Sequence, residues 1–120
     1  MQATRQLAHE AWSEYLDAVS KELLNAPVSI EIIATPGPPV VEAAHMALQT
    51  LTYDHRDDVF EVAAARGAPH LPGVLRHMVD HPALIEVDSH TLLAPMTIAV
   101  EDQDGVRTVI TIERDGEFTG

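Results

Sequence analysis

Two alternating runs near the end of the chain constrain the fold more than any other feature. In residues 96–101 and 106–113 every second side chain is apolar or β-branched, which is the two-residue period of a strand with one buried face. Between them, residues 102–105 end in an Asp-Gly pair, which favours a tight turn. The two runs therefore predict a β-hairpin.

A single helix is predicted at about residues 8–24. Trp12, Leu16, Val19 and Leu23 recur at spacings of three and four, which places them on one helical face. The proline that follows four residues later ends the pattern, because proline lacks an N–H donor and disfavours helical backbone at the preceding residue. We expect this face to be buried against a sheet.

Seven strands are predicted from short β-rich runs bounded by proline, glycine or aspartate. They lie at about 28–34, 45–53, 58–64, 74–79, 83–88, 92–101 and 106–113. The segment 74–79 also fits a helical face, so its state stays open between helix and strand.

The expected fold class is α+β. Consecutive hairpins leave no room for the helical crossovers that a parallel sheet needs. We therefore expect the N-terminal helix to pack on a bent antiparallel β-meander of five to seven strands, within one domain covering residues 1–120. An SH3-like or Sm-like partly closed barrel is one version of this fold, and an open sheet is the other.

Composition excludes several classes of function. The chain has 19 acidic residues against 7 Lys and Arg, a net charge of -12, and such a surface repels nucleic acid and anionic lipid. It has no cysteine, which excludes disulfides, thiolate nucleophiles and zinc–thiolate sites. No apolar run is long enough to span a membrane and no signal-peptide pattern is apparent. We expect a cytoplasmic location with no nucleic-acid or membrane partner.

Five motifs follow one another along nearly the whole chain. They are WSEYLDAVS in the helix, VSIEII, LQTLTYDHRDDVFEV, HMVDHPALIEVD and MTIAVEDQDGVRTVITI. Their succession resembles that of a group of small bacterial proteins classified as a domain of unknown function. The resemblance implies one domain and a bacterial source, and it carries no activity, cofactor or catalytic residue.

Histidines provide the candidate metal ligands. His77 and His81 are four residues apart, the spacing that places two ligands on one helical face, and Asp80 lies between them. If the segment is a strand, the two imidazoles lie too far apart for one ion. A divalent metal at His77 and His81 is the one cofactor that the sequence suggests, against the alternative of dispersed histidines that bind nothing.

Two segments contain residue types used in acid–base or nucleophilic catalysis. The first is Tyr53, Asp54 and His55, in an Asp-rich turn that lacks the pattern of a calcium loop. The second is the triplet at 88–90, Asp-Ser-His, where contiguity argues against a triad because triads assemble from separated segments. We expect ordinary turns at both.

Three functions remain open. The first is a non-catalytic protein-interaction or self-associating module, with a homodimer through edge strands or sheet faces as one form of it. The second is divalent-metal binding at His77 and His81. The third is a small enzyme with a His–Asp site near Tyr53.

Overall fold

The computed structural model describes residues 4–66, 73–88 and 96–113. Its helix α1 spans Trp12–Glu22 and follows one 3-10 turn, His9–Ala11. The strands, in chain order, are β1 (Thr4–Gln6), β2 (Pro27–Ile33), β3 (Val40–Asp54), β4 (Val59–Ala65), β5 (Val74–Asp80), β6 (Pro82–Asp88), β7 (Met96–Asp102) and β8 (Arg107–Ile112).

All eight described strands form one antiparallel sheet in the order β1-β6-β7-β8-β2-β3-β4-β5. The α+β class is confirmed, but the strand number exceeds the predicted five to seven because the three-residue β1 is too short to show alternation. The predicted antiparallel meander is present in two parts. Two meanders, β2 to β5 and β6 to β8, are joined by pairing of β8 with β2, which no local pattern reveals.

The structure changes one predicted strand boundary and decides one segment that the sequence left open. β3 begins at Val40 rather than near residue 45, because β2 pairs with its first half while β4 pairs with its second half. The segment left open between helix and strand is β5, since β4 pairs with it along its whole length. The residues 92–95 of the predicted strand 92–101 lie outside the described residues.

The connection between β5 and β6 determines the shape of the sheet. Only His81 separates the two strands, so their ends lie at most about 7.6 Å apart. Six strand spacings separate β5 from β6 in the sheet order, which would be about 29 Å in a flat sheet. The sheet therefore rolls until β5 lies against β7. It does not close into a barrel, because among the described strands β1 and β5 remain its edges.

Helix α1 covers the inner face of this rolled sheet. Trp12, Leu16 and Val19 are buried and Leu23 packs against the same core, as the helical spacing predicts. The hydroxyl of Ser20 accepts a hydrogen bond from the backbone N–H of β3 and donates one to a carbonyl there, which fastens the helix to that strand. No helix in the described part of the chain is long and apolar enough to cross a bilayer.

Replacing Leu16 by alanine tests this packing. Leu16 is fully buried and alanine favours a helix, so we expect the free energy of unfolding to fall by about 2–5 kcal/mol from lost contacts and a residual cavity. Urea unfolding followed by circular dichroism measures the change. Asp17→Ala, at the exposed neighbouring position, is the matched control and should change stability by less than about 0.5 kcal/mol. Equal losses in the two variants would contradict the packing.

Candidate functional site

Four polar side chains meet where β5 turns into β6. Tyr53 donates a hydrogen bond from its hydroxyl to Asp58 Oδ1 over 2.6 Å, and His81 Nδ1 lies 3.1 Å from Asp58 Oδ2. His9 Nε2 lies 3.3 Å from the hydroxyl of Tyr53. We name His9, Tyr53, Asp58 and His81 the corner cluster.

Backbone geometry brings the corner cluster together. Asp58 and His81 both have positive φ, 56° and 53°, in the left-handed region that turn residues adopt. The backbone N–H of His81 donates to the carbonyl oxygen of Asp58 over 2.8 Å. The turn between β3 and β4 is thereby tied to the connection between β5 and β6 by both backbone and side chains.

The indole ring of Trp12 packs against two members of the corner cluster, His9 and Tyr53. The rings of Trp12 and Tyr53 meet edge to face with centroids 5.0 Å apart, and His9 lies 4.3 Å from Trp12. The hydroxyl of Tyr53 gives its single proton to Asp58, so the contact with His9 requires His9 Nε2 to carry the proton. The hydroxyl group of Tyr53 is therefore held from two sides.

The protonation states of the corner cluster suit a structural tie. Burial, and after it the hydrogen bond to the Asp58 carboxylate and the charge of that carboxylate, together raise the pKa of Tyr53 from 10.0 to about 12. The hydrogen bond from Tyr53, and then that from His81, lower the pKa of Asp58. At neutral pH the phenol keeps its proton and the carboxylate stays charged, whereas a general acid or base works best with a pKa near the operating pH.

A cleft of about 390 Å³ lies on the other side of His81, between β5 and the β7–β8 turn. We name it the seam cleft. Its lining comes from the end of β5, from the corner residue, from the segment that joins β7 to β8, and from one residue each of β2 and β8. These residues are, in that order, His77, Met78, Val79 and Asp80; His81; Asp102, Gln103, Asp104 and Val106; Ile32; and Thr108. These described lining residues include three aspartates and no lysine or arginine.

His77 spans the inside of the roll next to the seam cleft. Its Nε2 lies 3.3 Å from the hydroxyl of Thr108, on β8, and Thr108 is almost fully buried. Burial lowers the pKa of His77, against a smaller opposing effect of Glu42. His77 is therefore a neutral imidazole at pH 7.

The two predicted metal ligands have different partners. His77 contacts Thr108 and His81 contacts Asp58, although both line the seam cleft together with Asp80. In the ranges that the structure describes, no three His, Asp or Glu side chains converge on a point where an ion could sit. A metal held by His77 and His81 stays a prediction, which titration of the untagged protein with Zn²⁺ would check.

The predicted acid–base segment is divided by the fold. Tyr53 joins the corner cluster, while Asp54 Oδ1 accepts a hydrogen bond from the backbone N–H of Arg56 in the turn. Tyr53, Asp54 and His55 help to line a broad, open depression of about 560 Å³. In the triplet at 88–90, only Asp88 is among the described residues.

Sequence reasoning found Tyr53 but missed its partners. Asp58 and His81 are separated by two strands and a loop, and only the sheet order shows that their turns meet. The available signal was the triplet at 80–82, Asp-His-Pro, because a single residue between two strand patterns requires a sharp corner.

Strand β5 offers an unpaired edge beside the seam cleft. It pairs with β4 on one side, and no other described strand pairs with it. Val74 and Met78, on its outer face, are 58% and 55% exposed. A free strand edge, two exposed apolar side chains and an acidic cleft therefore lie side by side.

Comparison with known proteins agrees with the resemblance seen in the sequence. A family described as a family of unknown function, DUF5335, matches residues 3–118. A protein of Aquifex aeolicus (strain VF5), described as an uncharacterized protein, is 32% identical over 111 residues, or 92% of this chain and 93% of the relative. No solved structure matches the chain. The predicted relation to bacterial proteins without an assigned activity is confirmed.

Alkaline titration tests the environment of Tyr53. Its pKa is raised from 10.0 to about 12, so its contribution to the free energy of unfolding is complete below pH 10 and is lost as the pH rises towards 12. The tyrosinate absorbance of a Tyr15→Phe variant, which leaves Tyr53 as the one tyrosine, should therefore develop near pH 12. A midpoint near pH 10 in the folded protein would show that the phenol is not held in this way.

Acid titration tests the burial of His77. Its folded pKa lies below the ordinary 6.5, so the unfolded chain binds the proton first and stability falls as the pH drops below 6.5, until the folded pKa is passed. His77→Gln should flatten this part of a curve of urea midpoint against pH. Thr108→Val should keep the decline, since burial and not the hydroxyl is the main cause. An unchanged decline in His77→Gln would refute the assignment.

Proposed function

We propose that this chain, which belongs to DUF5335, a family of unknown function, is a non-catalytic interaction module that binds an extended protein segment along the free edge of β5. One observation carries the proposal: β5 is paired on one side only among the described strands, and its other side opens onto the seam cleft. A segment added there would continue the sheet.

Backbone chemistry supports this mode of binding. An edge strand presents N–H and C=O groups without partners at alternate residues, and an incoming strand satisfies them. With its seven residues, β5 offers an edge about 23 Å long, at about 3.3 Å per residue. β1, at the opposite edge, has three residues and is too short for a comparable interaction.

Side chains on the outer face of β5 provide contacts for alternate residues of the segment. Val74, Arg76, Met78 and Asp80 share that face because strand side chains alternate, and all four are exposed. Arg76 lies 3.7 Å from Glu61 on β4, so its charge is partly offset. The outer face thus offers two apolar positions, Val74 and Met78, on either side of an arginine whose charge is partly offset.

The corner cluster supports a binding role over a catalytic one. The pKa values of Tyr53 and Asp58 lie on opposite sides of neutrality, and neither group exchanges protons near pH 7. Metal binding at His77 and His81, self-association through β5 and a cytoplasmic location stay predictions. In the self-association case, a second copy of β5 takes the place of the extended segment.

Backbone pairing can be tested with a capped, eight-residue synthetic peptide that alternates valine and threonine. We expect it to shift the β5 amide resonances and slow their hydrogen exchange, because strand pairing shields them. The control peptide has proline at every second position and should leave β5 unchanged, since proline lacks the N–H that pairs. Light scattering of the protein alone shows whether a second copy already occupies the edge.

Protein variants test which part of the surface is used. The double variant Val74→Ser, Met78→Ser should weaken peptide binding about fivefold to tenfold, as expected for the loss of about 50 Å² of apolar contact. Leu24→Ser, at an exposed leucine that follows α1, is the matched control and should bind as the parent does. Shifts confined to residues outside β5 would refute the proposal.

A further inference from the structure

We infer that the segment received by β5 carries a lysine or arginine side chain, which is held by Asp80 and Asp104 at the mouth of the seam cleft. This inference rests on the proposed binding at the β5 edge and identifies the chemistry of the occupant. It follows from the geometry of the groove and from the charges on its two walls.

The two walls of the seam cleft both carry carboxylates. Asp80 ends β5, while on the opposite wall Asp102 ends β7 and Asp104 lies in the β7–β8 turn. Asp102 is used by its own turn, where Oδ1 accepts hydrogen bonds from the backbone N–H groups of Asp104 and Val106 over 2.9 and 3.0 Å. The carboxylates of Asp80 and Asp104 have no hydrogen bond or ion pair within the described residues, so both are available to an incoming cation.

No positive charge in the described lining balances these carboxylates. The imidazole of His77 is turned to Thr108 and is neutral at pH 7, because its burial lowers the pKa. His81 directs Nδ1 away from the cleft to Asp58. A basic side chain of a partner would therefore meet two carboxylates with little competition from the protein itself.

The register along β5 places that basic side chain at one end of the segment. Side chains of the outer face come in the order Val74, Arg76, Met78 and Asp80. An added strand would set apolar residues against Val74 and Met78, and its next residue on that face would lie against Asp80. The fitting partner is an extended segment with two apolar residues four positions apart, opposite Val74 and Met78, and a lysine or arginine two positions beyond the second of them, opposite Asp80.

The charge of the whole chain favours a basic segment over a second copy. Two copies joined at β5 would bring two acidic clefts together, each on a chain of net charge -12, and like charges at close range oppose association. The same field attracts a basic peptide and raises its association rate. Phosphate-bearing partners are repelled for the same reason.

The test compares three forms of the valine–threonine peptide, with lysine, threonine or glutamate at the position opposite Asp80. Affinities are measured from the β5 amide shifts at low salt. We expect the lysine peptide to bind about tenfold more tightly than the threonine peptide and the glutamate peptide to bind most weakly, since two exposed ion pairs together give about this factor. Raising the salt concentration to about 0.5 M should remove most of the difference.

Paired variants separate the cleft from the net charge. Asp80→Asn with Asp104→Asn should reduce the advantage of the lysine peptide to less than about threefold and leave the threonine peptide unaffected. Asp17→Asn with Asp57→Asn changes the net charge equally at two exposed positions outside the cleft lining, and it should keep the full advantage.

The outcomes distinguish this inference from the proposal beneath it. If lysine and threonine peptides bind β5 equally, or if both double variants lose the advantage equally, the basic occupant is refuted and binding at the β5 edge stands. If none of the peptides affects the β5 amides, the proposed function is refuted and the inference falls with it. Loss of the lysine preference in the cleft variant alone supports both.

Discussion

The one-residue connection between β5 and β6 determines how the rest of the sheet must curve. His81 is the single residue between two strands that six strand spacings separate in the sheet, and a chain of trans peptides cannot cross such a distance in a flat sheet. Rolling is therefore a geometric requirement, and the hydrophobic core inside the roll follows from it. α1 covers the inner face of the curved surface, where Trp12 and Leu16 are buried.

The corner is held by a carboxylate that serves two turns. Asp58 accepts hydrogen bonds from the hydroxyl of Tyr53 and from His81, while its backbone carbonyl accepts one from the N–H of His81. Hydrogen bonds to a charged acceptor are stronger than those between neutral groups, and the phenol is shielded from water by Trp12 and His9. This arrangement fixes the corner between β5 and β6 relative to the turn between β3 and β4.

The local part of the fold could be predicted from the sequence, and the long-range part could not. The spacing of Trp12, Leu16 and Val19 identified the buried face of α1. This was possible because residues three or four positions apart in the sequence lie on the same face of a helix. The Asp-Gly turn between β7 and β8 was identified in the same way, and Gly105 has the positive φ of 85° that such turns need. Pairing of β8 with β2 has no local signature, since each strand alternates in the same way whatever its neighbour is.

The candidate site shows the same division. His77 and His81 were selected for their spacing of four, which has meaning on a helix, whereas β4 makes the segment a strand by pairing with it. Asp58 and His9 could not be connected with Tyr53 before the sheet order was known. The position of β5 at an edge of the sheet could not be predicted either, because it depends on the order of all the described strands and not on the sequence of β5.

The union of the two meanders has a consequence for biosynthesis. Val28 on β2 pairs with Ile112 on β8, so the sheet cannot become continuous until β8 has been synthesised. Until β8 has left the ribosome, β2 has a bare flank and the interior lacks Ile110 and Ile112, both fully buried when the fold is complete. Such distant contacts slow folding and leave apolar strands uncovered in the nascent chain until synthesis reaches β8.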